Sequence, residues 1–334
     1  MSLPFVIAEA GVNHNGDLGR ALEMVDAAAA AGADCVKFQA FEADKLNAAG
    51  TGVAAYQARN TGASDQRDMI RALELSAADF ARLADRCRDR GVEFLCTAFD
   101  EDMVERLVAM GMRRIKVASG ELTNHPALRR FARLGLPVIV STGMARDDEV
   151  DAAIAVLREA GAVDITVLQC TSVYPAPVEA ANLIAMVAMG RRNGVPNGYS
   201  DHTLGDHAAI AATALGATVI EKHFTLDRNL HGPDHKASLE PNELAAMIRR
   251  CRETVAALGE PVKTPTPEEL ATAALVRRSW HAARDLAAGE TLAPADIVLK
   301  RPATGIAATR SIAGARLARP VAADRPITEA DLAN

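Results

Sequence analysis

The sequence has few aromatic residues and no excess of basic ones. Aromatic side chains make up 4% of its 334 residues, and the acidic residues outnumber the basic ones to give a net charge of −6. Binding of nucleic acid relies on aromatic platforms for the bases and on a basic surface for the phosphates. The composition therefore argues against a nucleic-acid-binding protein.

Long apolar runs and paired cysteines are also missing. No apolar segment approaches the roughly 20 residues that span a bilayer, and the N-terminal residues MSLPFVIAEAG lack a basic stretch. The cysteines are odd in number, widely spaced and without a CxxC pair, which favours neither a disulfide framework nor a thiolate zinc site. They are Cys35, Cys87, Cys96, Cys170 and Cys251. We expect a cytoplasmic protein with reduced cysteines and no membrane segment.

Short β-branched runs alternate regularly with stretches that are rich in alanine and leucine. Strands are predicted at residues 5–9, 35–39, 93–97, 114–118, 138–141, 166–170, 197–200 and 218–223. Helices are predicted after the strands, for example at residues 18–31, 77–90, 101–110, 148–160 and 243–258. Eight such units over about 260 residues predict an α/β fold of the (β/α)8 TIM-barrel type. A doubly wound sheet is the alternative, but no GxGxxG motif follows the first strand.

The composition changes after residue 260. Residues 260–269, EPVKTPTPEE, are rich in proline and charge, which is typical of a linker. Beyond them, short apolar pieces are interrupted by glycine and proline, which favours a compact β-rich module of about 60 residues. We predict a barrel domain over residues 1–260, a linker over 261–275 and a small domain over 276–334.

Polar residues stand at or just after the C-terminal ends of the predicted strands, where a barrel carries its reactive groups. Two of them, Lys37 and Lys116, point into the barrel by strand alternation. The others are Glu9, Gln39, Thr97, Ser119, Glu121, Ser141, Tyr174 and Ser200. Ammonium and hydroxyl donors of this kind suit a phosphate or carboxylate, so a phosphorylated substrate is expected. Lys222 falls on the opposite face of its strand, and we expect it to form a structural pair outside the site.

Two histidines, His202 and His223, end the neighbouring seventh and eighth strands. Imidazoles on adjacent strand ends can share one metal ion. Two imidazoles without thiolates leave coordination positions open, which favours an octahedral ion such as Mn²⁺ or Mg²⁺. His231 and His235, in the loop HGPDHK, remain competing ligands.

Several motifs along nearly the whole chain resemble those of the sialic acid synthase family: AEAGVNHNG, VKFQ, FLCTAFD, IKVASGE, STGM, QCTSVYPAP, GYSDHT, EKHFTLD and GPDHKASLEP. The resemblance implies a transferase that condenses phosphoenolpyruvate with an N-acetylmannosamine-type sugar and water, giving a nine-carbon 2-keto acid and phosphate. The later motif KRPATGI resembles the antifreeze-like (SAF) domain of these enzymes. Together with the linker, it predicts a homodimer with exchanged C-terminal domains.

The resemblance also implies roles for individual residues. Glu9 and Glu121 would face the reacting carbons. His202 and His223 would hold the metal, with Mn²⁺ expected and Mg²⁺ or Co²⁺ as alternatives. Phosphoenolpyruvate would be held by Lys37, Thr97, Lys116, Ser119, Ser141 and Ser200. The sugar would be held by Gln39, Tyr174, Asp234 and Arg301.

The identity of the sugar stays open at this point. Ser172 stands two residues before Tyr174, where sialic acid synthases often have asparagine, and the motif after it reads YPAP. This motif and the segment YQARNTGASDQRDMIRALELS resemble synthases for legionaminic acid, whose sugar substrate is a diacetamido trideoxyhexose. The two candidates are that sugar and N-acetylmannosamine.

Two other functions remain as hypotheses. A Schiff-base aldolase could use Lys37 or Lys116 as its nucleophile, because a desolvated lysine amine is nucleophilic. A non-catalytic regulator could use the same pocket to bind a sugar phosphate. Borohydride trapping with pyruvate distinguishes the aldolase, and release of phosphate from phosphoenolpyruvate distinguishes the regulator.

Overall fold

Strands and helices alternate through the first of two units of the chain. The computed structural model describes residues 2–333, and the division between the units falls between Gly259 and Glu260. The strands of the first unit are β1 (Phe5–Gly11), β2 (Cys35–Ala40), β3 (Glu93–Ala98), β4 (Ile115–Val117), β5 (Val138–Ser141), β6 (Ile165–Cys170), β7 (Asn197–Asp201) and β8 (Val219–His223). Its helices are α1 (Leu18–Ala30), α2 (Ala43–Leu46), α3 (Ala55–Thr61), α4 (Gln66–Arg71), α5 (Ala77–Arg90), α6 (Glu101–Ala109), α7 (His125–Ala132), α8 (Asp147–Glu159), α9 (Leu183–Asn193), α10 (His207–Ala214) and α11 (Pro241–Leu258).

The eight strands form one parallel sheet that curves into a barrel. They are hydrogen-bonded in the order β3, β2, β1, β8, β7, β6, β5, β4, and β3 lies next to β4. Pairing of the first strand with the last, from Phe5 beside Val219 to Glu9 beside His223, closes the ring. The predicted TIM barrel is confirmed, and this pairing excludes the doubly wound alternative.

Local signals in the sequence define the barrel helices, as α5 illustrates. Ser76 and Asp79 form a capping box at its start, and Gly91 ends it in the left-handed conformation, with φ of 69°. One face of the helix is buried against the barrel through Phe80, Leu83, Ala84 and Cys87. Buried side chains at this spacing anchor a helix to a sheet.

The connection between β2 and α5 departs from the simple alternation. We call residues 41–75 the mouth segment; it contains the three short helices α2, α3 and α4. Its apolar side chains form a small cluster of their own with Val12, which follows β1. The buried members of this cluster are Val12, Phe41, Ala43, Met69, Ile70 and Leu73.

The second unit has a small β-rich core, as predicted. It contains α12 (Pro267–Val276) and the antiparallel strands β9 (Ser279–Ala282) and β10 (Ile297–Lys300). Its buried side chains are Ala282, Leu286, Leu292, Ile306, Ile312, Leu317, Val321 and Ile327.

Helix α12 occupies most of the predicted linker, residues 261–275. A capping box of Thr266 and Glu269 starts the helix, and Pro267 occupies its first turn. None of its residues is buried, and Leu270, Leu275 and Val276 are exposed. The segment is therefore helical where the proline- and charge-rich composition predicts a linker.

Within residues 2–333, no helix combines the length and the apolar character that crossing a membrane requires. All five cysteines are buried and free. Burial raises the pKa of the Cys87 thiol to about 12 and that of Cys35 well above its ordinary value, which keeps these thiols protonated and packed.

Candidate active site

A cavity of about 440 Å³ opens at the C-terminal ends of the barrel strands. Each of the eight strands, or the loop that follows it, contributes at least one polar or thiol side chain to the lining. The cavity brings together most of the predicted site residues: Glu9, Lys37, Gln39, Thr97, Lys116, Ser119, Ser141, Tyr174, Ser200, His202, His223 and Asp234. Strand alternation and strand ends therefore identify most of this lining from the sequence, whereas Asp234 was expected only from the family resemblance.

Two buried lysines form the cationic part of the cavity. Lys37 Nζ lies 2.8 Å from Glu9 Oε2 and donates to Thr97 Oγ1 at 3.1 Å. Lys116 Nζ donates to Ser141 Oγ at 2.7 Å. Burial acts to lower the pKa of Lys37, but the neighbouring carboxylates outweigh it and raise that pKa above its ordinary value. The pKa of Lys116 is lowered, chiefly by burial.

Glu221 lies between the two lysines; it is one of the polar residues at the end of the eighth predicted strand, but it was assigned no role in the site from the sequence. Its carboxylate oxygens are 3.8 Å from Lys37 Nζ and 3.5 Å from Lys116 Nζ, and Ser200 Oγ donates to it at 2.9 Å. Burial acts to raise its pKa, but the two lysines outweigh burial and lower it. The signal was available, because Glu221 precedes His223 by two residues and so shares its face of β8.

Glu9 is the second carboxylate of the cavity. It is 2% exposed, and Gln39 Nε2 donates to its Oε1 at 2.9 Å. Burial is the main cause that raises the pKa of Glu9, with Lys37 opposing it and Glu221 reinforcing it. A carboxyl group whose pKa is raised by burial is a candidate for general acid–base catalysis.

His202 and His223 lie side by side at the ends of β7 and β8, with ring centroids 5.2 Å apart. His202 Nδ1 is 2.8 Å from the Thr171 carbonyl oxygen, which only accepts, so Nδ1 donates and Nε2 is the ring nitrogen left to bind a metal. Burial lowers the pKa of His223 well below its ordinary value, which keeps its imidazole neutral. Its Nδ1 is buried without a hydrogen-bond partner among the described residues.

The two imidazoles fit a divalent metal ion with open coordination positions. Among residues 2–333, no group of three or more histidine, cysteine, aspartate and glutamate side chains is arranged to hold a metal ion. Two imidazole ligands would leave the other positions to substrate oxygens and water, which suits a metal ion that binds substrate. The competing ligands His231 and His235 do not line the cavity, and the ring of His235 is hydrogen-bonded to Thr225 and Asn15.

The outer part of the cavity carries two stacked tyrosines and an acid. The centroid of the Tyr174 ring lies 4.1 Å from that of the His202 ring. Tyr174 also stacks on Tyr56 of α3, with ring centroids 5.0 Å apart. Asp234 is buried and lines the same cavity, and burial raises its pKa to about 6. Tyr56 was not predicted, because its place depends on the path of the mouth segment.

Two predicted site residues lie outside this lining. Glu121 belongs to the short 3₁₀ helix Ser119–Glu121 after β4, and its carboxylate accepts a hydrogen bond from Asn124 Nδ2 at 2.7 Å. Arg301 belongs to the second unit, where it is exposed after β10. Their roles stay predictions. Lys222 forms the expected pair outside the cavity, since its Nζ donates to Asp201 Oδ2 at 2.8 Å.

Comparisons with known proteins agree with this geometry. A family model described as the NeuB family matches residues 24–263, and one described as the SAF domain matches residues 277–333. An N,N'-diacetyllegionaminic acid synthase from Legionella pneumophila is 44% identical over 320 residues, which cover 94% of this chain and 90% of that protein. A synthase of the same name from Campylobacter jejuni is 43% identical over 313 residues, covering 93% of this chain and 94% of that protein.

Among solved structures, an N-acetylneuraminic acid (sialic acid) synthetase from Leptospira borgpetersenii in complex with citrate is similar to this chain. The TM-score is 0.73 and the sequence identity 33%, over 81% of this chain and 90% of that one.

Proposed function

The chain belongs to the NeuB family, and from this membership we propose that it is a nonulosonate synthase acting on phosphoenolpyruvate and a 2-acetamido sugar. The open-chain sugar aldehyde, phosphoenolpyruvate and water are converted to a nine-carbon 2-keto acid and inorganic phosphate. The names of the Legionella and Campylobacter relatives favour 2,4-diacetamido-2,4,6-trideoxymannose as the sugar and N,N'-diacetyllegionaminate as the product. N-Acetylmannosamine, which would give N-acetylneuraminate, is the competing sugar.

The observation that carries this proposal is the buried cluster of cations and hydroxyls. Lys37 and Lys116 are each less than 5% exposed, and Thr97, Ser141 and Ser200 surround them. Buried ammonium groups attract the phosphate and carboxylate of phosphoenolpyruvate strongly, because little water screens them. In our proposal the lysines bind this anion and stabilise the departing phosphate.

We propose that His202 and His223 hold a divalent metal ion, with Mn²⁺ expected and Mg²⁺ or Co²⁺ as alternatives. The neutral ring of His223 and the anchored ring of His202 support this assignment. When bound, such an ion supplies Lewis acidity toward a carbonyl oxygen.

The reaction requires one new carbon–carbon bond and one broken carbon–oxygen bond. C3 of phosphoenolpyruvate attacks the aldehyde carbon of the sugar, water adds at C2, the C2–O bond to phosphate breaks, and the aldehyde oxygen receives a proton. Glu9 lines the cavity and its pKa is raised, so we assign to it the proton of the attacking water. The Lys37 ammonium, 2.8 Å from Glu9, stabilises the leaving phosphate.

We also propose that the protein is a homodimer in which Arg301 of each C-terminal unit serves the barrel of the other subunit. The exposed apolar residues of α12 support an association, because no residue of this helix is buried in the single chain. Arginine is suited to bridging the oxygens of an acetamido sugar, since its forked donors stay charged.

The direct test is release of phosphate from phosphoenolpyruvate with a panel of 2-acetamido sugars, followed by the product mass. We expect release that depends on the sugar and a product that contains every carbon of both substrates. Binding without release would favour the regulator. The raised pKa of Lys37 keeps its amine protonated and disfavours it as the nucleophile of an aldolase, which leaves Lys116, whose pKa is lowered. Trapping of pyruvate on Lys116 by borohydride would support the aldolase.

A further inference from the structure

The mouth segment contributes several apolar side chains to the lining of the active-site cavity. Phe41, Met69, Ile70 and Leu73 of this segment line the cavity, together with Val12 after β1 and Phe99 after β3. We call these six side chains the apolar wall. Phe41 and Phe99 meet edge to face with centroids 6.3 Å apart, and all six belong to the cluster under the mouth segment. The wall is therefore packed in place before a ligand binds.

An apolar wall matters for a sugar site. A hydroxyl group that faces such a wall loses its hydrogen bonds to water without replacement, whereas a methyl group gains from leaving water. Elsewhere the lining is mixed: it includes the charged side chains of Lys37, Glu221 and Asp234, and also apolar residues such as Leu46, Met144 and Pro233. The wall therefore suits a substrate in which one end of the carbon chain has no hydroxyl group.

We propose that the apolar wall binds the C6 methyl end of the sugar and selects a 6-deoxy substrate over its 6-hydroxy counterpart. This inference rests on the proposed function, which supplies the sugar. The amides of Gln57 and Gln66 line the cavity together with the wall. Side-chain amides donate and accept hydrogen bonds as an acetamido group requires, so methyl and acetamido substituents both find suitable surroundings.

Met69 and Ile70 are the positions that test the wall. Both lie on α4, which Asp65 caps by accepting from the Asp68 amide, and both are buried yet line the cavity. Met69→Gln and Ile70→Thr introduce polar atoms with little change of size. Met69→Leu keeps the position apolar, and Arg71→Gln changes an exposed residue of α4 that does not line the cavity.

The experiment measures kcat/KM at saturating phosphoenolpyruvate for two sugars that differ only at C6: 2-acetamido-2,6-dideoxymannose and N-acetylmannosamine. In the unsubstituted protein we expect the 6-deoxy sugar to be preferred about 10- to 100-fold, the range that one group in an apolar pocket supplies. Met69→Gln and Ile70→Thr reduce this ratio at least about 5-fold. Met69→Leu and Arg71→Gln leave it unchanged.

Equal kcat/KM for the two sugars in the unsubstituted protein would overturn the proposed role of the wall, and this measurement needs no variant to fold. A preference that survives in folded Met69→Gln and Ile70→Thr, as judged by circular dichroism, would overturn the assignment to these residues. Failure of every acetamido sugar to release phosphate would contradict the proposed function itself. The two failures are therefore distinguishable.

Discussion

Four charged side chains are buried in the cavity and depend on one another for stabilisation. Lys37, Lys116, Glu9 and Glu221 are each at most 5% exposed. Removing an ion from water costs several kcal/mol, and this cost is offset only by close partners. Each lysine has Glu221 within 4 Å, and Lys37 also has Glu9. The two ammonium groups and the two carboxylates therefore compensate one another's charge. A polyanionic substrate would add negative charge that pairs with the lysines.

Replacing Glu221 tests this balance. Glu221→Gln removes the carboxylate shared by both lysines and leaves Lys116 without its ion pair. We expect the free energy of unfolding to fall by about 3 kcal/mol at pH 7. Phosphoenolpyruvate, which is anionic, should raise the melting temperature of the variant more than that of the unsubstituted protein. Urea denaturation and thermal melting with and without phosphoenolpyruvate measure both effects; unchanged stability would show that Glu221 does not balance the lysines.

Metal dependence is a second prediction that concerns single residues of the cavity. His202→Ala and His223→Ala should lose bound Mn²⁺, measured by elemental analysis after dialysis, while circular dichroism shows a folded barrel. EDTA should abolish turnover, and added Mn²⁺ should restore it. His207→Ala is the matched control, because His207 is an exposed residue of α10 outside the cavity. Full activity of the metal-free protein would refute the assignment.

Prediction from sequence worked for side chains whose direction depends on a strand. Lys37, Thr97 and Ser141 follow from alternation along β2, β3 and β5, which needs no tertiary information. Tyr56 does not, because its stacking on Tyr174 joins two segments that are remote in the sequence.

The elements β7 and β8 illustrate how the barrel fixes its histidines. Asp201 and Lys222 are paired in register on these strands, each next to one of the two histidines in the sequence. Both side chains are fully buried, and Asp201 Oδ1 also accepts from the Thr203 amide and hydroxyl at 2.8 Å. The pair therefore ties β7, β8 and the start of the next loop together on the face away from the cavity.

Breaking this pair should be costly. Lys222→Met leaves the Asp201 carboxylate buried without its cation, so we expect the free energy of unfolding to fall by about 3 to 5 kcal/mol. The double variant Asp201→Asn/Lys222→Met removes both charges and keeps an acceptor for Thr203, so it should recover part of the loss. Chemical denaturation of the three proteins measures this; equal stability of the single variant and the unsubstituted protein would rule out a structural role.

The eight barrel strands and the five helices that were given bounds from the sequence were predicted to within two residues, because their periodicity extends over whole elements. The mouth segment was not, because α2, α3 and α4 are too short for a clear period. They depend on contacts between residues that are not neighbours in the sequence, such as the hydrogen bond from the backbone N–H of Gln66 to the backbone carbonyl of Thr51. Helix α12 has its capping signal in the sequence, but the composition around it indicates a linker.

The proposed homodimer, in which Arg301 serves the barrel of the other subunit, is tested on the whole molecule. If the C-terminal domains are exchanged, two inactive variants should complement each other. His202→Ala and Arg301→Ala, unfolded and refolded together, should form mixed dimers in which one site is intact, so about a quarter of all sites recover under random pairing. Each variant refolded alone serves as the control. No recovery, with mixed dimers verified by mass spectrometry, would mean that Arg301 acts within its own chain or not at all.

In the proposed reaction, this protein joins phosphoenolpyruvate to an acetamido sugar with cleavage of the C2–O bond. Phosphoenolpyruvate labelled with ¹⁸O at the bridging position, incubated with Mn²⁺ and 2,4-diacetamido-2,4,6-trideoxymannose, tests it in one reaction. We predict inorganic phosphate that carries the label and a 2-keto acid whose mass contains all carbons of both substrates. Unlabelled phosphate, or phosphate released without the condensed acid, would contradict the account.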